Sequence, residues 1–162
     1  MGSGGIARLV RTGLLTGVID GIFSSVLVVV FYHSTLGRLW RGVASVVLGP
    51  QALEGGTRAA LFGIFLHFCV AFGWSAVFLG LVALSPGLRR VLGRPFGTVK
   101  IASLYGPFIW IVMSLLVIPL LAHRPPSITV RWWIQLIGHV PFVAIPIVSS
   151  IGRGIAGSEP AG

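Results

Sequence analysis

Four long apolar runs dominate the chain, and their hydrophobic positions are continuous rather than alternating. They cover residues 13–33, 58–84, 101–122 and 132–151, and one charge, Asp20, interrupts their interiors. A helix rising 1.5 Å per residue needs about 20 apolar residues to cross ~30 Å of hydrocarbon. A membrane barrel would show alternation instead. The pattern therefore predicts an all-α membrane protein with four transmembrane helices in an up-down bundle, forming a single domain over residues 1–153.

Between the first two runs the pattern changes. Leu36, Leu39, Trp40, Val43 and Val47 recur at helical spacing, with Arg38, Arg41 and Ser45 elsewhere on the wheel. This predicts a short helix over 36–48 lying in the membrane interface, ended by Gly49-Pro50. A re-entrant helix is the alternative. Pro86, Gly87, Gly93 and Pro95 break the second connection, and Pro125-Pro126 the third. The Gly-rich stretch 154–162 reads as a disordered tail. Arg8 and Arg11 before the first run resemble the start of a signal peptide. The run is too long for a signal, however, and no small-x-small site follows at Tyr32-His33-Ser34, so a retained helix is expected.

Composition supports lipid as the solvent. Hydrophobic residues make up 55% of the 162 and charged residues 9%, against about 25% charged in soluble domains. The net charge of +9 is spread singly or in short clusters between apolar runs, with no basic face, which argues against nucleic acid as a partner. The cations instead suit anionic head groups. With the N-terminus inside, Arg8, Arg11, Arg89, Arg90, Arg94, Lys100 and Arg153 fall on the inner side. Arg38, Arg41, Arg58, Arg124 and Arg131 fall on the outer side. Seven against five places both termini in the cytoplasm. Trp40, Trp132 and Trp133 are expected in the outer aromatic belt. Cys69 stands alone, so no intrachain disulfide or Cys-based metal site is available.

Asp20 is the most informative residue. An ionised Asp near the bilayer centre costs roughly 2.5–3.5 kcal/mol on insertion scales and is a functional hypothesis by default. Thr16, Asp20 and Ser24 repeat every four residues, and Gly13, Gly17 and Gly21 do the same one position along. Such a small, polar stripe faces other helices, with the glycines as packing positions. Three roles stay open for Asp20: a hydrogen-bonded link between helices, a proton or cation relay, or a counter-ion for His or Arg. Counted from Ala59 and Trp132, His67 and His139 lie 7–8 residues in, roughly 10–12 Å deep at helical rise. Asp20, His67 and His139 thus form a candidate intramembrane polar cluster. Two His on different helices could ligate haem or, with a carboxylate, a metal. Hydrogen bonding between helices is the plainer reading, and no cofactor or metal is expected. Pro107, Pro119, Pro141 and Pro146 predict packing kinks rather than a transporter's broken helix pair, since they lack half-to-half symmetry. No nucleophile elbow, Walker sequence, Cys-x-x-Cys pair or His-Glu-x-x-His helix occurs, so catalysis is not expected.

Several stretches carry a family resemblance: Gly17-x-x-Asp20-Gly21, Leu39-Trp40-Arg41-Gly42-Val43-Ala44-Ser45, Leu48-Gly49, Glu54-Gly55-Gly56 and Gly63-x-x-x-His67-Phe68. Later ones are Tyr105-Gly106, Pro119, Arg124-Pro125-Pro126-Ser127 and Gly138-His139-x-Pro141-Phe142. Over residues 13–153 the chain resembles a group of small bacterial four-helix inner-membrane proteins, distantly similar to the YagU-like family. That family usually carries Gln at or beside the position of Arg41, so no role carries over there. The resemblance implies a bacterial inner membrane and four helices, and no activity. The functional expectation is a non-enzymatic accessory or interaction subunit, meeting lipid and other membrane subunits or copies of itself. The alternatives are a small proton-linked transporter or permeation protein using Asp20, His67 and His139, and a haem- or metal-binding membrane protein.

Overall fold

The computed structural model describes residues 3–156, and among these there is no strand. The first apolar run forms α1 (Ser3–Val26), which continues through a π-helical turn, Leu27–Phe31. Next comes α2 (Leu36–Leu48). The second run is α3 (Gly56–Leu84), followed by the short α4 (Pro86–Leu92). The third is α5 (Gly97–Val112), a π-helical stretch Met113–Val117, and α6 (Ile118–Ala122). The fourth is α7 (Val130–His139), a π-helical stretch Val140–Ala144, and α8 (Ile145–Ala156). Four helical spans, Gly4–Phe31, Gly56–Leu84, Gly97–Ala122 and Val130–Gly152, are long and apolar enough to cross a membrane. This is the architecture of a multi-pass membrane protein.

The helices outrun the apolar runs that predict them. α1 begins at Ser3 rather than near residue 13, taking in Arg8 and Arg11. A helix satisfies its own backbone in water as well as in lipid, so a change of solvent does not end it. The connection read over 85–100 contains α4, capped by the Ser85 hydroxyl, which accepts the Leu88 N–H at 3.2 Å. At the other end α8 runs to Ala156, three residues into the stretch read as a disordered tail. The rest of that tail, 157–162, lies outside the described residues.

The helix over 36–48 is present, capped by Thr35 Oγ1 accepting the Arg38 N–H at 3.2 Å. It ends at Gly49, whose φ of 83° suits a residue without Cβ. α2 packs along α3: a Cβ on Gly63 would overlap the Trp40 carbonyl and touch the Ala44 nitrogen. Gly63 lies seven residues into α3, so the crossing is about 10 Å from the start of that helix.

The spans divide lengthwise. Toward the α4 end, α3, α5 and α8 bury a dry core that includes Phe78, Val82, Ala102, Ile109, Ile147 and Ile151. Tyr105 ties it together by donating its hydroxyl to the Trp74 carbonyl at 2.7 Å. Outward-facing surfaces are apolar: Leu61, Leu104, Leu120 and Ile137 are each more than 60% exposed. Patches of that kind are rare on soluble monomers. Toward the α2 end the spans part around a cavity.

Candidate functional site

The site begins with the small residues of α1. Gly13 and Gly17 face the rings of Phe72 and Phe68 on α3, so closely that a Cβ at Gly17 would sit 2.6 Å from the Phe68 ring. Gly21 faces His67 and the Trp40 indole, 3.5 and 3.6 Å from where its Cβ would be. The three glycines thus pack within the molecule, drawing α1 and α3 together, as expected when small residues let backbones approach.

This close approach sets the hydrogen bonding of His67. Its Nε2 lies 2.9 Å from the Gly17 carbonyl oxygen. A carbonyl only accepts, so Nε2 carries the hydrogen and donates. The other ring nitrogen, Nδ1, points at Asp20 Oδ2 across 3.8 Å. In a neutral ring that Nδ1 is a bare lone pair, which an ionised carboxylate would repel. The pair is therefore complementary when it holds one further proton, either on Asp20 or on Nδ1. The separation exceeds a hydrogen bond, and Asp20 Oδ1 is buried without a partner.

His139 comes from the opposite wall, at the last residue of α7, where the π-helical stretch begins. Its Nδ1 donates to the Gln135 carbonyl at 2.7 Å, which leaves Nε2 as an acceptor. The ring lies 4.8 Å from that of Trp110. Gly106 allows this: a Cβ there would stand 2.7 Å from the His139 carbonyl oxygen, so α5 and α7 touch backbone to backbone. Asp20 interacts electrostatically with both histidines.

Asp20, His67 and His139 all line one cavity of about 520 Å³. Ligand pockets fall at roughly 300–1,000 Å³. The row Thr16, Asp20, Ser24, Val28 and Tyr32 runs up one side, four residues apart. Val43 and Val46 of α2 close another side, and Met113, Ile118 and Val143 a third. Arg38 and Arg131, near the starts of α2 and α7, form the rim at the α2 end. The result is a one-ended vestibule with a polar floor, an apolar throat and a cationic rim, stopped below by the dry core. A second cavity of about 580 Å³, lined by Arg124 and Pro125, meets the first at Trp110, Ile118, Arg131 and Gln135.

Four buried polar atoms in the vestibule lining have no hydrogen-bond partner: Thr16 Oγ1, Asp20 Oδ1, Tyr32 Oη and Trp110 Nε1. Thr16 is only 1% exposed. An orphaned buried polar group costs about 1–3 kcal/mol, so their convergence on one cavity points to a site built for polar contents. Asp20, His67 and His139 are not disposed as metal ligands. Among the described residues, no group of three His, Cys, Asp or Glu could hold a metal ion.

Of the three tryptophans expected in the belt, Trp40 and Trp132 turn inward and Trp133 faces out. Trp40 lies against His67, with ring centroids 5.2 Å apart. Trp132 is buried and donates Nε1–H to Ser114 Oγ at 2.9 Å. Trp133 is exposed. A belt assignment considers only position along a helix and not the side it faces. His33 and His123 have left-handed backbones with φ of 48° and 49° where spans one and three stop. Sequence reasoning missed Tyr32, Trp110, Arg38 and Arg131 as part of the site. Tyr32 could have been found, because it continues the four-residue row that begins at Thr16. The others come from separate segments, with no shared spacing to link them.

No protein-family model, no curated protein and no solved structure matches the chain.

Proposed function

We propose that the protein is a small proton-linked transporter or permeation protein of the membrane, and that its work is done in the vestibule. The observation that carries this reading is the Asp20–His67 pair, 3.8 Å apart on the floor of a cavity lined with unpartnered polar atoms. Complementarity in the pair requires one proton beyond the Nε2–H. Gain or loss of that proton changes the charge of the floor by one unit where solvation is poor and charge interactions are strong. Its occupancy and that of the vestibule are thereby linked.

The membrane setting belongs to the same proposal. The four spans run up and down through a bacterial inner membrane, and the cation count keeps both termini in the cytoplasm. The vestibule then opens outward. α2 sits at head-group depth, with Arg38 and Arg41 reaching the polar layer and Val43 and Val46 turned to the throat. The kinship to small four-helix inner-membrane proteins, distantly YagU-like, fits this setting. The accessory-subunit reading has Gly13, Gly17 and Gly21 packing within the bundle or against a partner; Phe72, Phe68 and Trp40 meet them from within the chain, which fits either reading. The unpartnered polar atoms that converge on the cavity favour the vestibule.

The test is passive proton flux in proteoliposomes with a trapped pH dye. The expected result is that wild type dissipates an imposed pH gradient and Asp20→Asn does so at least ~10-fold more slowly, the scale of losing one relay group. Flux unchanged in Asp20→Asn, with the variant folded, overturns the proposal.

A further inference from the structure

The rim of the vestibule indicates what enters it. Arg38 on α2 and Arg131 at the start of α7 both line the cavity. Among the described residues neither has a carboxylate at ion-pair distance: Asp20 faces His67, and Glu54 does not line the cavity. Arg131 lies over the Tyr32 ring, its guanidinium carbon 4.1 Å from the centroid. A ring face takes no conventional hydrogen bond, so the five guanidinium N–H groups stay available to an acceptor. One hydrogen-bond donor at this level, Tyr32 Oη, is buried and unpartnered, and a second, Trp110 Nε1, lies deeper, where its ring meets His139. The second cavity, joining at Arg131, adds Arg124 on the same side. Cationic groups and an unused donor therefore gather at the rim, while the throat beneath it is walled by Val28, Val43, Val46 and Ile118.

We infer that the vestibule takes organic anions, with a carboxylate or phosphate group held between Arg38 and Arg131 and an apolar body lodged in the throat. This rests on the vestibule being a ligand site and goes beyond it by naming the ligand's chemistry. Guanidinium forks match planar carboxylate and tetrahedral phosphate oxygens. A small inorganic ion would satisfy the rim and leave the throat unfilled. A neutral amphiphile would fill the throat and leave two cations unpaired. The floor links the ligand to the proton: without the further proton the Asp20–His67 pair is anionic and repels an anion, and with it the pair is neutral. The ligand could come from the lipid, as a single-chain phosphate amphiphile, or from water, as a compact aryl phosphate.

The experiment is equilibrium binding to the full chain in phosphatidylcholine nanodiscs, with dodecyl phosphate, phenyl phosphate, inorganic phosphate and dodecyl maltoside as separate ligands. The expected result is saturable binding of one or both organic phosphates. Each of Arg38→Gln and Arg131→Gln should weaken it about 10-fold to 100-fold, the scale of a charge-assisted hydrogen bond. Arg131→Lys should recover part of the loss, and Arg94→Gln, at the α4 end, should leave binding unchanged. Preference for dodecyl phosphate assigns the ligand to the membrane, and preference for phenyl phosphate to the aqueous phase. Either supports the inference. Inorganic phosphate or dodecyl maltoside binding as tightly as both organic phosphates overturns it, as does indifference to both Arg substitutions. In the wild-type protein, proton flux without binding of either organic phosphate rejects the anion and keeps the transporter reading, and binding without flux does the reverse.

Discussion

Gly63 and Gly106 mark the places where one helix backbone meets another with no side chain between. At Gly63 a Cβ would run into the Trp40 carbonyl, and at Gly106 into that of His139. Backbone cannot swing aside, so Gly63→Ala and Gly106→Ala should each destabilise by about 1–3 kcal/mol or more, the usual range for overpacking. At Gly17 the obstacle is the Phe68 ring, which can shift, so Gly17→Ala should cost less. Gly80 has nothing within 4 Å, and Gly80→Ala should be neutral or stabilising. Unfolding in mixed detergent micelles checks the order, and equal effects at Gly63 and Gly80 would refute it. The residue scale is also where the sequence was most legible. A carboxylate repeated with Thr16 and Ser24 at helical spacing marked an inward face, because lipid offers it no partner. The matched depth of His67 and His139 followed from counting at 1.5 Å per residue. The tautomers did not, since they depend on carbonyls at Gly17 and Gln135 that spacing alone cannot aim.

Among the elements, the membrane spans are not uniform helices. The π-helical stretch Met113–Val117 ends two residues before Pro119, and Val140–Ala144 ends two before Pro146. Proline lacks an N–H and crowds the carbonyl four residues back, and a widened turn relieves that crowding. The second stretch directly follows His139 and sets its direction into the vestibule. The prolines were visible in the sequence and read as kinks. The widened turns were not, because hydrophobic period reports a face and not one additional residue per turn. α2 shows the same limit. Its amphipathic pattern gave the helix and its apolar face, whereas the partner on that face, α3 at Gly63, required the tertiary structure. Between elements, the Tyr105 hydroxyl bonding the Trp74 carbonyl joins α5 to α3. Tyr105→Phe should lower stability by about 0.6–1.5 kcal/mol, the range for hydrogen bonds between membrane helices. No change in detergent-unfolding midpoint would mean the bond is not formed.

At the scale of the whole molecule, the chain separates into a dry half and a polar half. Phe78, Ile109, Ile147 and their neighbours seal the α4 end, and the α2 end opens around Asp20, His67 and His139. Four apolar runs made the number of spans legible. The one-sided cavity was not, because it arises from where five separate segments diverge. The direct measurement is accessibility of single cysteines in intact membranes, on a Cys69→Ser background, to a charged, membrane-impermeant thiosulfonate. Ser24→Cys, in the vestibule wall one turn above Asp20, should be modified from the α2 side alone. Val18→Cys, on the exposed lipid-facing side of the same helix, should stay unmodified. A Ser24→Cys protein that is inert from both sides, or equally reactive from both, would contradict a vestibule open at one end.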